Sequence, residues 1–284
     1  MELRITALRE GLRDGGIREA SRIEILGRSS DGDAGKLASL AVELVQQRVA
    51  VIVAASGSAL KAAREATSSM PILAHNLETD PIASGYVASL GRPGGNVTGV
   101  FADFPDLGMK WIELLKEAIP KLSEVVVFRD PASSSTQLAA VESAARLLKV
   151  QLKVRDVPSV ADVATAFKAV NTQRPEAIIV LASPIFGSNP KLLGELAVAH
   201  RVPIVSSFAD IARAGGLMAY GPAFSETYRQ LGRMVAKVLQ GASPADLPVE
   251  RPTKFEMVLN LRTARAFGLA LPEIVVQRAD ELIE

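Results

Sequence analysis

The stretch "EAIIVLASPIFGSNPKLLGELAVAHRVPIVSS", residues 176–207, decides the fold class of this chain. Two short apolar runs, 176–183 and 202–207, flank a segment of helical period at 190–200. Buried strands of a parallel sheet are nearly continuous apolar runs, and neighbouring parallel strands are joined by a crossover helix. The stretch therefore predicts a strand–helix–strand unit of a doubly wound α/β sheet.

The same alternation extends over the second half of the chain. It predicts five strands with helices between them, at 124–130, 152–157, 176–183, 202–207 and 216–222. Five strands with crossover helices make one complete doubly wound unit.

The first half repeats this order but begins at a helix. Its predicted strands lie at 22–26, 49–56, 70–76 and 96–101, and its predicted helices at 5–16, 36–48, 58–68 and 82–90. Compared with the second half, the first strand is absent. In the common strand order that strand lies inside the sheet, so its loss leaves a slot lined by unpaired backbone groups. Three explanations stay open: the sequence starts downstream of the natural start, the sheet is rearranged, or another segment fills the slot.

Two repeated units predict two lobes. A further helical stripe at 223–241 and a strand-like segment follow the second unit, which favours a chain that crosses between the lobes more than once. We assign residues 1–102 and 222–252 to lobe one, and residues 103–221 and 253–284 to lobe two.

Composition and motifs argue against several classes of function. The 32 Lys and Arg balance 31 Asp and Glu without a basic block, which argues against nucleic acid as a partner. The chain has 0 Cys, so it has neither disulfides nor Cys-ligated zinc. It lacks the common nucleophile, nucleotide and metalloprotease motifs, and we expect no enzyme activity, cofactor or metal site. No apolar run reaches the ~18–20 residues of a membrane span, and the amino terminus is not signal-like, so we expect no export signal in this sequence.

Candidate ligand-binding residues follow the predicted strands, because ligands of open α/β sheets bind at the carboxyl ends of the strands. These positions mix hydroxyl, amide, charged and aromatic groups, as small-molecule sites do. In lobe one they are Ser56, Gly57, Ser58, Asn76 and Phe101. In lobe two they are Arg129, Asp130, Ser183, Pro184, Phe186, Ser207, Phe208 and Tyr220.

The Ser56–Gly57–Ser58 turn has two interpretations. Ser58 is placed to cap the helix that follows, and capping alone explains its hydroxyl. Alternatively, the hydroxyls and the free N–H groups of the helix bind an anion such as a carboxylate. No lysine comes directly after the turn, which argues against a nucleotide phosphate.

Four long motifs carry a family resemblance: "DPIASGYVASLGRPGGNVTGVF", "KWIELLKEAIPKLSEVVVFRDP", "AGGLMAYGP" and the carboxyl-terminal "PADLPVERPTKFEMVLNLRTARAFGLALPEIVVQRADELIE". In order and spacing they resemble the substrate-binding proteins of ABC-type uptake systems, of the tryptophan/tyrosine-binding kind. The resemblance covers essentially the whole chain. It implies a type I periplasmic binding protein, with two doubly wound lobes joined by a hinge of crossing strands.

The resemblance also implies a function. Such a protein closes on a small organic ligand, aromatic or otherwise amino-acid-like, and delivers it to membrane permease subunits at the periplasm or cell envelope. Asp80 joins the candidate residues through the family's "DP" turn, and Arg129 would favour an acidic ligand if it faced the cleft. We expect a monomer, or a dimer if another chain supplies the missing strand. The alternatives are a regulator's effector-binding domain with the same fold and, less favoured, an enzyme using the cleft.

Overall fold

The computed structural model describes residues 2–18, 22–30, 33–75, 77, 81–101, 104–132, 135–171 and 175–284. The chain divides into two compact units. Unit 1 comprises Met1–Asp103 and Pro222–Lys254, and unit 2 comprises Phe104–Gly221 and Phe255–Glu284. The polypeptide therefore passes from one unit to the other three times, and each unit has its own sheet.

Helices and strands alternate along both units. The helices are α1 (Glu2–Asp14), α2 (Leu37–Gln46), α3 (Gly57–Ala66), α4 (Phe104–Ala118), α5 (Ser135–Leu148), α6 (Val160–Asn171), α7 (Pro184–Gly187), α8 (Pro190–His200), α9 (Ala209–Arg213), α10 (Phe224–Leu239), α11 (Leu261–Phe267) and α12 (Glu273–Val276). The strands are β1 (Ile52–Ala54), β2 (Ile72–Ala74), β3 (Val97–Gly99), β4 (Glu124–Arg129), β5 (Gln151–Asp156), β6 (Ala177–Val180), β7 (Ile204–Ser206), β8 (Met218–Pro222), β9 (Phe255–Asn260) and β10 (Glu281–Ile283).

The sheet of unit 1 contains β1, β2 and β3 in that order, and the three strands are parallel. They confirm, in shorter form, the strands predicted at 49–56, 70–76 and 96–101. β3 packs directly against β2 at Gly99, which has a φ of +147°, and a Cβ at Gly99 would lie 2.2 Å from the carbonyl oxygen of Ala74. Only glycine fits that approach and that φ without strain.

Two elements predicted for unit 1 are wrong. Residues 22–26 form no strand. Strand β1 is the edge of the sheet, and among the described strands it pairs only with β2, so residues 22–26 have no strand partner there. Ile23 and Ile25 nevertheless pack against the core formed by α1 and α10. Residues 82–90 form turns instead of a helix, since Gly85 adopts a φ of +70° and the chain folds back on itself.

Helices α1 and α10 cross at two glycines, which lets their backbones touch. A Cβ on Gly11 would lie 1.9 Å from the carbonyl oxygen of Arg229, and a Cβ on Gly232 would lie 2.3 Å from that of Leu8. The pair covers one face of the sheet, with Leu231 and Met234 completely buried beside Leu73. The two segments of unit 1 are thereby joined through a helix pair.

The sheet of unit 2 has seven strands in the order β10-β9-β8-β7-β6-β4-β5. The strand pairs β10–β9, β5–β4, β4–β6, β6–β7 and β7–β8 are all parallel, and β4 lies between β5 and β6. The five strands predicted between residues 124 and 222 are confirmed, and β9 and β10 extend the sheet beyond β8. Phe128, Phe167 and Phe186 are fully buried on one face, where they pack with α6 and α8.

None of the described helices is both long and apolar enough to cross a lipid bilayer. The longest described helix, α10, is amphipathic, with Arg229 and Arg233 on its polar face.

Candidate functional site

The predicted residues of unit 2 lie along one edge of its sheet. Arg129 ends β4, Ser183 follows β6, Ser207 follows β7 and Tyr220 lies in β8. Because these strands are adjacent and parallel, their carboxyl ends meet at the same edge. We call Arg129, Asp130, Ser183, Pro184, Ser207, Phe208 and Tyr220 the unit 2 edge cluster.

Arg129 forms a bidentate ion pair with Asp156 across the neighbouring strand. Its Nε donates to Asp156 Oδ1 at 2.8 Å, and its Nη2 donates to Oδ2 at 2.9 Å. The fork geometry of the guanidinium and carboxylate makes this a well-defined pair. The positive charge that was expected to favour an acidic ligand is therefore neutralised by a carboxylate of the same sheet.

Asp130 and Ser183 shape the turns at the edge. The buried carboxylate of Asp130 accepts the N–H of Ala132 at 2.9 Å, and the hydroxyl of Ser183 accepts the N–H of Phe186 at 3.4 Å, which caps α7. The Phe186 side chain is fully buried in the core, which corrects the expectation that it contacts ligand. The Phe186 ring is apolar and lies behind the cap, so its burial leaves no polar group without a hydrogen bond.

Gln137 is a residue that sequence reasoning missed. Its side-chain amide is 1% exposed. It accepts the N–H of Ala182 at 2.7 Å and donates to the carbonyl of the same residue at 3.0 Å. The pair of hydrogen bonds fixes the turn after β6 to helix α5. A glutamine on a helix gives no sequence signal for such a contact, because the partner is 45 residues away.

The aromatic residues of this edge are partly exposed. Phe208 packs on the backbone of Gly187, where a Cβ would lie 3.0 Å from the ring, and its N–H donates to Ser206 Oγ at 3.1 Å. The ring of Tyr220 stacks on Phe255 with centroids 6.0 Å apart. Burial, and then the negative charge of Asp280, raise the pKa of the Tyr220 hydroxyl. Ser207 is also partly exposed, and Pro184 is exposed.

In unit 1 the serine turn caps a helix, but through a different residue from the one predicted. Helix α3 begins at Gly57, and the Ser56 hydroxyl accepts the N–H of Ala59 at 3.2 Å, so Ser56 is the N-cap rather than Ser58. The helix starts earlier than its apolar period indicates, since Gly57 and Ser58 form its first turn. Ser58 is exposed, and its hydroxyl lies 3.1 Å from that of Ser56. Both hydroxyls remain at the carboxyl end of β1.

The remaining predicted residues of unit 1 are Phe101, Asn76 and Asp80. Phe101 is partly buried, packs on the core of the sheet and donates its N–H to the carbonyl of Glu250 at 2.8 Å. Asn76 and Asp80 lie outside the described residues.

A buried histidine follows β2 in unit 1, and the sequence did not predict its surroundings. The His75 ring stacks on Tyr228, with centroids 4.2 Å apart, and lies 4.6 Å from Phe224. Burial, and then the positive charge of Arg4, lower the pKa of His75 from 6.5 to about 3. The imidazole is therefore neutral at pH 7. Burial also raises the pKa of the Tyr228 hydroxyl. We call His75, Phe224, Tyr228 and Arg4 the His75 cluster.

Arg4 is the cation of this cluster. Its guanidinium carbon lies 5.1 Å from the centroid of Phe224 and 5.9 Å from that of Tyr228, within the range of cation–π contacts. It forms no ion pair with a carboxylate of the described part of the chain. Arg4, Ser56 and Tyr228 are among the residues that line a cavity of about 530 Å³ inside unit 1. A positive charge and a hydroxyl that line the same cavity can both contribute to binding an anionic group.

Within the described ranges, no three His, Asp or Glu side chains are grouped so that they could hold a metal ion. The described polar groups suit a ligand bound through hydrogen bonds, one positive charge and aromatic contacts.

Comparisons with known proteins show the family of this chain. A family model described as "ABC transporter substrate binding protein" matches residues 1–283. The tyrosine-binding protein of Clostridioides difficile (strain R20291) is 25% identical over 262 residues, which cover 92% of this chain and 75% of that protein.

Two solved structures are similar over nearly the whole chain. One is the ABC domain in complex with L-Trp from Streptococcus pneumoniae, with a TM-score of 0.88, 26% identity, and coverage of 99% of this chain and 95% of that chain. The other is a conserved domain protein from Vibrio cholerae, with a TM-score of 0.87, 24% identity, and coverage of 98% and 95%. The fold class predicted from the sequence, α/β with two units of mostly parallel sheet as in type I periplasmic binding proteins, is confirmed.

Proposed function

Because this chain belongs to the family of ABC transporter substrate-binding proteins, we propose that it binds a small aromatic amino acid or a related carboxylate and delivers it to permease subunits at the cell envelope. The ligand is held without chemical change, as in a binding protein rather than an enzyme. The observation that carries the proposal is Arg4, a guanidinium that lies over two aromatic rings and lines the same cavity as Ser56.

The carboxylate of the ligand is assigned to Arg4 and the serine turn. Arg4 has no carboxylate partner among the described side chains, and Ser56 and Ser58 present hydroxyls at the carboxyl end of β1. A charge-assisted hydrogen bond to a carboxylate is about twice as strong as a neutral one. Arg129 is the weaker candidate for this role, since Asp156 already neutralises it.

The unit 2 edge cluster, taken by itself, is a second candidate for contacts with an aromatic ligand. Phe208 and Tyr220 are partly exposed rings, and rings of this kind stack favourably on an aromatic ligand. A relative that binds tyrosine and a similar structure that holds L-Trp support this ligand class.

Calorimetric titration of the full chain tests the proposal. L-Trp and L-Tyr are compared with tryptamine and tyramine, which keep the ring and the amine but lack the carboxylate. We expect saturable binding of at least one amino acid and at least tenfold weaker binding of its amine, because Arg4 then loses its partner. If neither the amino acids nor simple aromatic carboxylates such as benzoate bind, the proposed ligand class is wrong.

A matched pair of variants tests the role of Arg4. Arg4→Gln removes a charge that has no carboxylate partner among the described residues, whereas Arg13→Gln removes a positive charge from the exposed last turn of the same helix. We expect Arg4→Gln to weaken binding roughly tenfold to a hundredfold, as for the loss of a charged hydrogen bond, and Arg13→Gln to leave it nearly unchanged. Equal affinities of the two variants would remove Arg4 from the ligand site.

A further inference from the structure

In unit 2 the order of the strands reverses between β4 and β6. These two strands are neighbours, but α5 leads from β4 to β5, whereas α7 and α8 lead from β6 to β7 on the other side. The connections leave the two strands in opposite directions at such a switch point, and ligands of open α/β sheets bind in the crevice that results. A buried side chain that crosses this point can therefore set the shape of a ligand site.

Gln137, in the first turn of α5, crosses this switch point and is 1% exposed. Just before the point, a backbone hydrogen bond from the N–H of Leu181 to the carbonyl of Phe128, at 3.1 Å, joins the two strands. One residue further on, Gln137 supplies both hydrogen bonds: its Oε1 accepts the N–H of Ala182 at 2.7 Å, and its Nε2 donates to the carbonyl of Ala182 at 3.0 Å. A side-chain amide carries an acceptor and a donor on one group, so a single glutamine satisfies both backbone groups of Ala182.

The segment 182–187, which follows β6, is a compact turn. Gln137 binds its first residue, and the Ser183 hydroxyl caps α7 by accepting the N–H of Phe186 at 3.4 Å. The N–H of Gly187 donates to the carbonyl of Ser183 at 2.9 Å, and the Phe186 ring is fully buried in the core. These contacts hold the segment together, so the place of its first residue affects the place of its last.

The far end of this segment lies against Phe208. A Cβ added to Gly187 would lie 3.0 Å from the Phe208 ring, so the ring packs directly on the backbone there. The Ser206 hydroxyl accepts the N–H of Phe208 at 3.1 Å and donates to the carbonyl of the same residue at 3.2 Å. Ser206 thus fixes the backbone of Phe208, whereas Gly187 limits the position of its ring. Phe208 is partly exposed and follows the carboxyl end of β7.

We propose that Gln137 is a positioning residue for ligand binding: by holding the segment 182–187 across the switch point, it sets the place of the Phe208 ring, which contacts the aromatic part of the ligand. The inference rests on the function proposed above, because it requires an aromatic ligand. Gln137 itself touches no ligand, since it is buried and Ala182 uses both of its polar atoms. Its effect on affinity passes through Phe208, and this separates a positioning role from a contribution to stability alone.

Calorimetric titration of the full chain with L-Trp, L-Tyr and benzoate measures the effect, and the probe that binds most tightly is used for the variants. Gln137→Met keeps nearly the length of the side chain but removes both hydrogen bonds to Ala182. The matched control is Gln151→Met, the same change at an exposed position of the edge strand β5. We expect Gln137→Met to bind about three- to tenfold more weakly, which is what one aromatic contact is worth, and Gln151→Met to bind as the wild type does. All titrations are made well below the thermal unfolding transition of each variant.

A double-mutant cycle with Phe208→Leu shows whether Gln137 acts through the ring. Phe208→Leu should weaken binding by itself, and Gln137→Met should cause little further loss on that background, because the contact that it displaces is already gone. A purely structural role would lower the free energy of unfolding without changing the affinity of the folded protein. Hydrogen exchange at the N–H of Ala182 should be faster in Gln137→Met than in the wild type, which checks that the hydrogen bond is broken.

Gly187→Ala tests the contact with the ring independently, and it replaces Gln137→Met if that variant does not fold. Its methyl group would press on the Phe208 ring, so the ring would have to shift. We expect weaker binding when Phe208 is present and hardly any change on the Phe208→Leu background.

Three results would overturn the inference and leave the proposed function intact. The first is binding by Gln137→Met as tight as that of the wild type, and the second is equally tight binding by Phe208→Leu. The third is full additivity of the two losses in binding free energy, which would show that Gln137 does not act through the ring. If the wild type binds none of the three probes, the proposed function is wrong and the inference fails with it.

Discussion

The buried His75 makes a prediction about acid stability, in which the perturbation is a fall in pH from 7 to 5. The pKa of His75 is about 3 in the folded chain, against 6.5 for an ordinary histidine, because burial and the Arg4 charge disfavour the imidazolium. The unfolded chain therefore takes up a proton as the pH falls through 6.5, whereas the folded chain does not. The contribution of the neutral His75 to the free energy of unfolding is fully present above pH 6.5 and is lost progressively as the pH falls to about 3.

The size of the effect follows from the two pKa values. Each pH unit between 6.5 and 3 lowers the free energy of unfolding by about 1.4 kcal/mol. Between pH 7 and pH 5 the histidine alone therefore contributes a loss of about 2 kcal/mol. His75→Phe removes the titrating group and keeps an aromatic ring against Tyr228 and Phe224, so this part of the loss should disappear.

Urea unfolding at pH 7, 6 and 5 measures the effect, with the wild type and His75→Phe compared at each pH. Carboxylates that titrate in this range do so in both proteins, so the difference between them isolates His75. If His75→Phe loses as much stability as the wild type between pH 7 and pH 5, the inferred protonation state is wrong.

Two further predictions concern helix geometry. Ser56→Ala should lower the free energy of unfolding by about 1 kcal/mol because it removes the N-cap of α3, whereas Ser58→Ala should change it by only a few tenths, as thermal unfolding of the two variants without ligand can show. Gly232→Ala should destabilise unit 1 by roughly 2–4 kcal/mol, since its Cβ would lie 2.3 Å from the Leu8 carbonyl oxygen and the helices would have to separate. Gly27→Ala, which adds a methyl group to open space, is the matched control for calorimetry, and a comparable loss in both variants would contradict the packing argument.

The central strands of unit 2 could be predicted because they are buried along their length, as β6 and β7 are, whereas the edge strand β5 is largely exposed. Short apolar runs bounded by turn residues, such as 176–183, favour buried strands of a parallel sheet. Residues 22–26 contain three apolar residues interrupted by a charged one, and they form no strand. A strand requires a partner for its backbone, and the sequence of one segment does not reveal whether that partner exists.

The sequence predicted where the candidate residues lie relative to the strands, but not what their side chains contact. The rule that ligands bind at strand carboxyl ends placed Ser56, Ser207 and Tyr220 at the edges of their sheets. It could not show that Asp156 pairs with Arg129, or that Phe186 turns into the core. Both depend on which way a side chain points from a strand end, and that is set by packing with distant residues.

The sequence by itself determined the α/β class, the two repeated units and the family, because these depend on periodicity and on long motifs that any fold of this chain must keep. Only the tertiary structure decided that Arg4, from the first helix, lies over Phe224 and Tyr228 from the tenth, with His75 buried against the same rings. Arg4 lies more than 200 positions from Phe224 and Tyr228 in the chain. The crossing of α1 and α10 at Gly11 and Gly232 brings them together, and such an approach of two backbones is a property of the packed pair rather than of either helix alone.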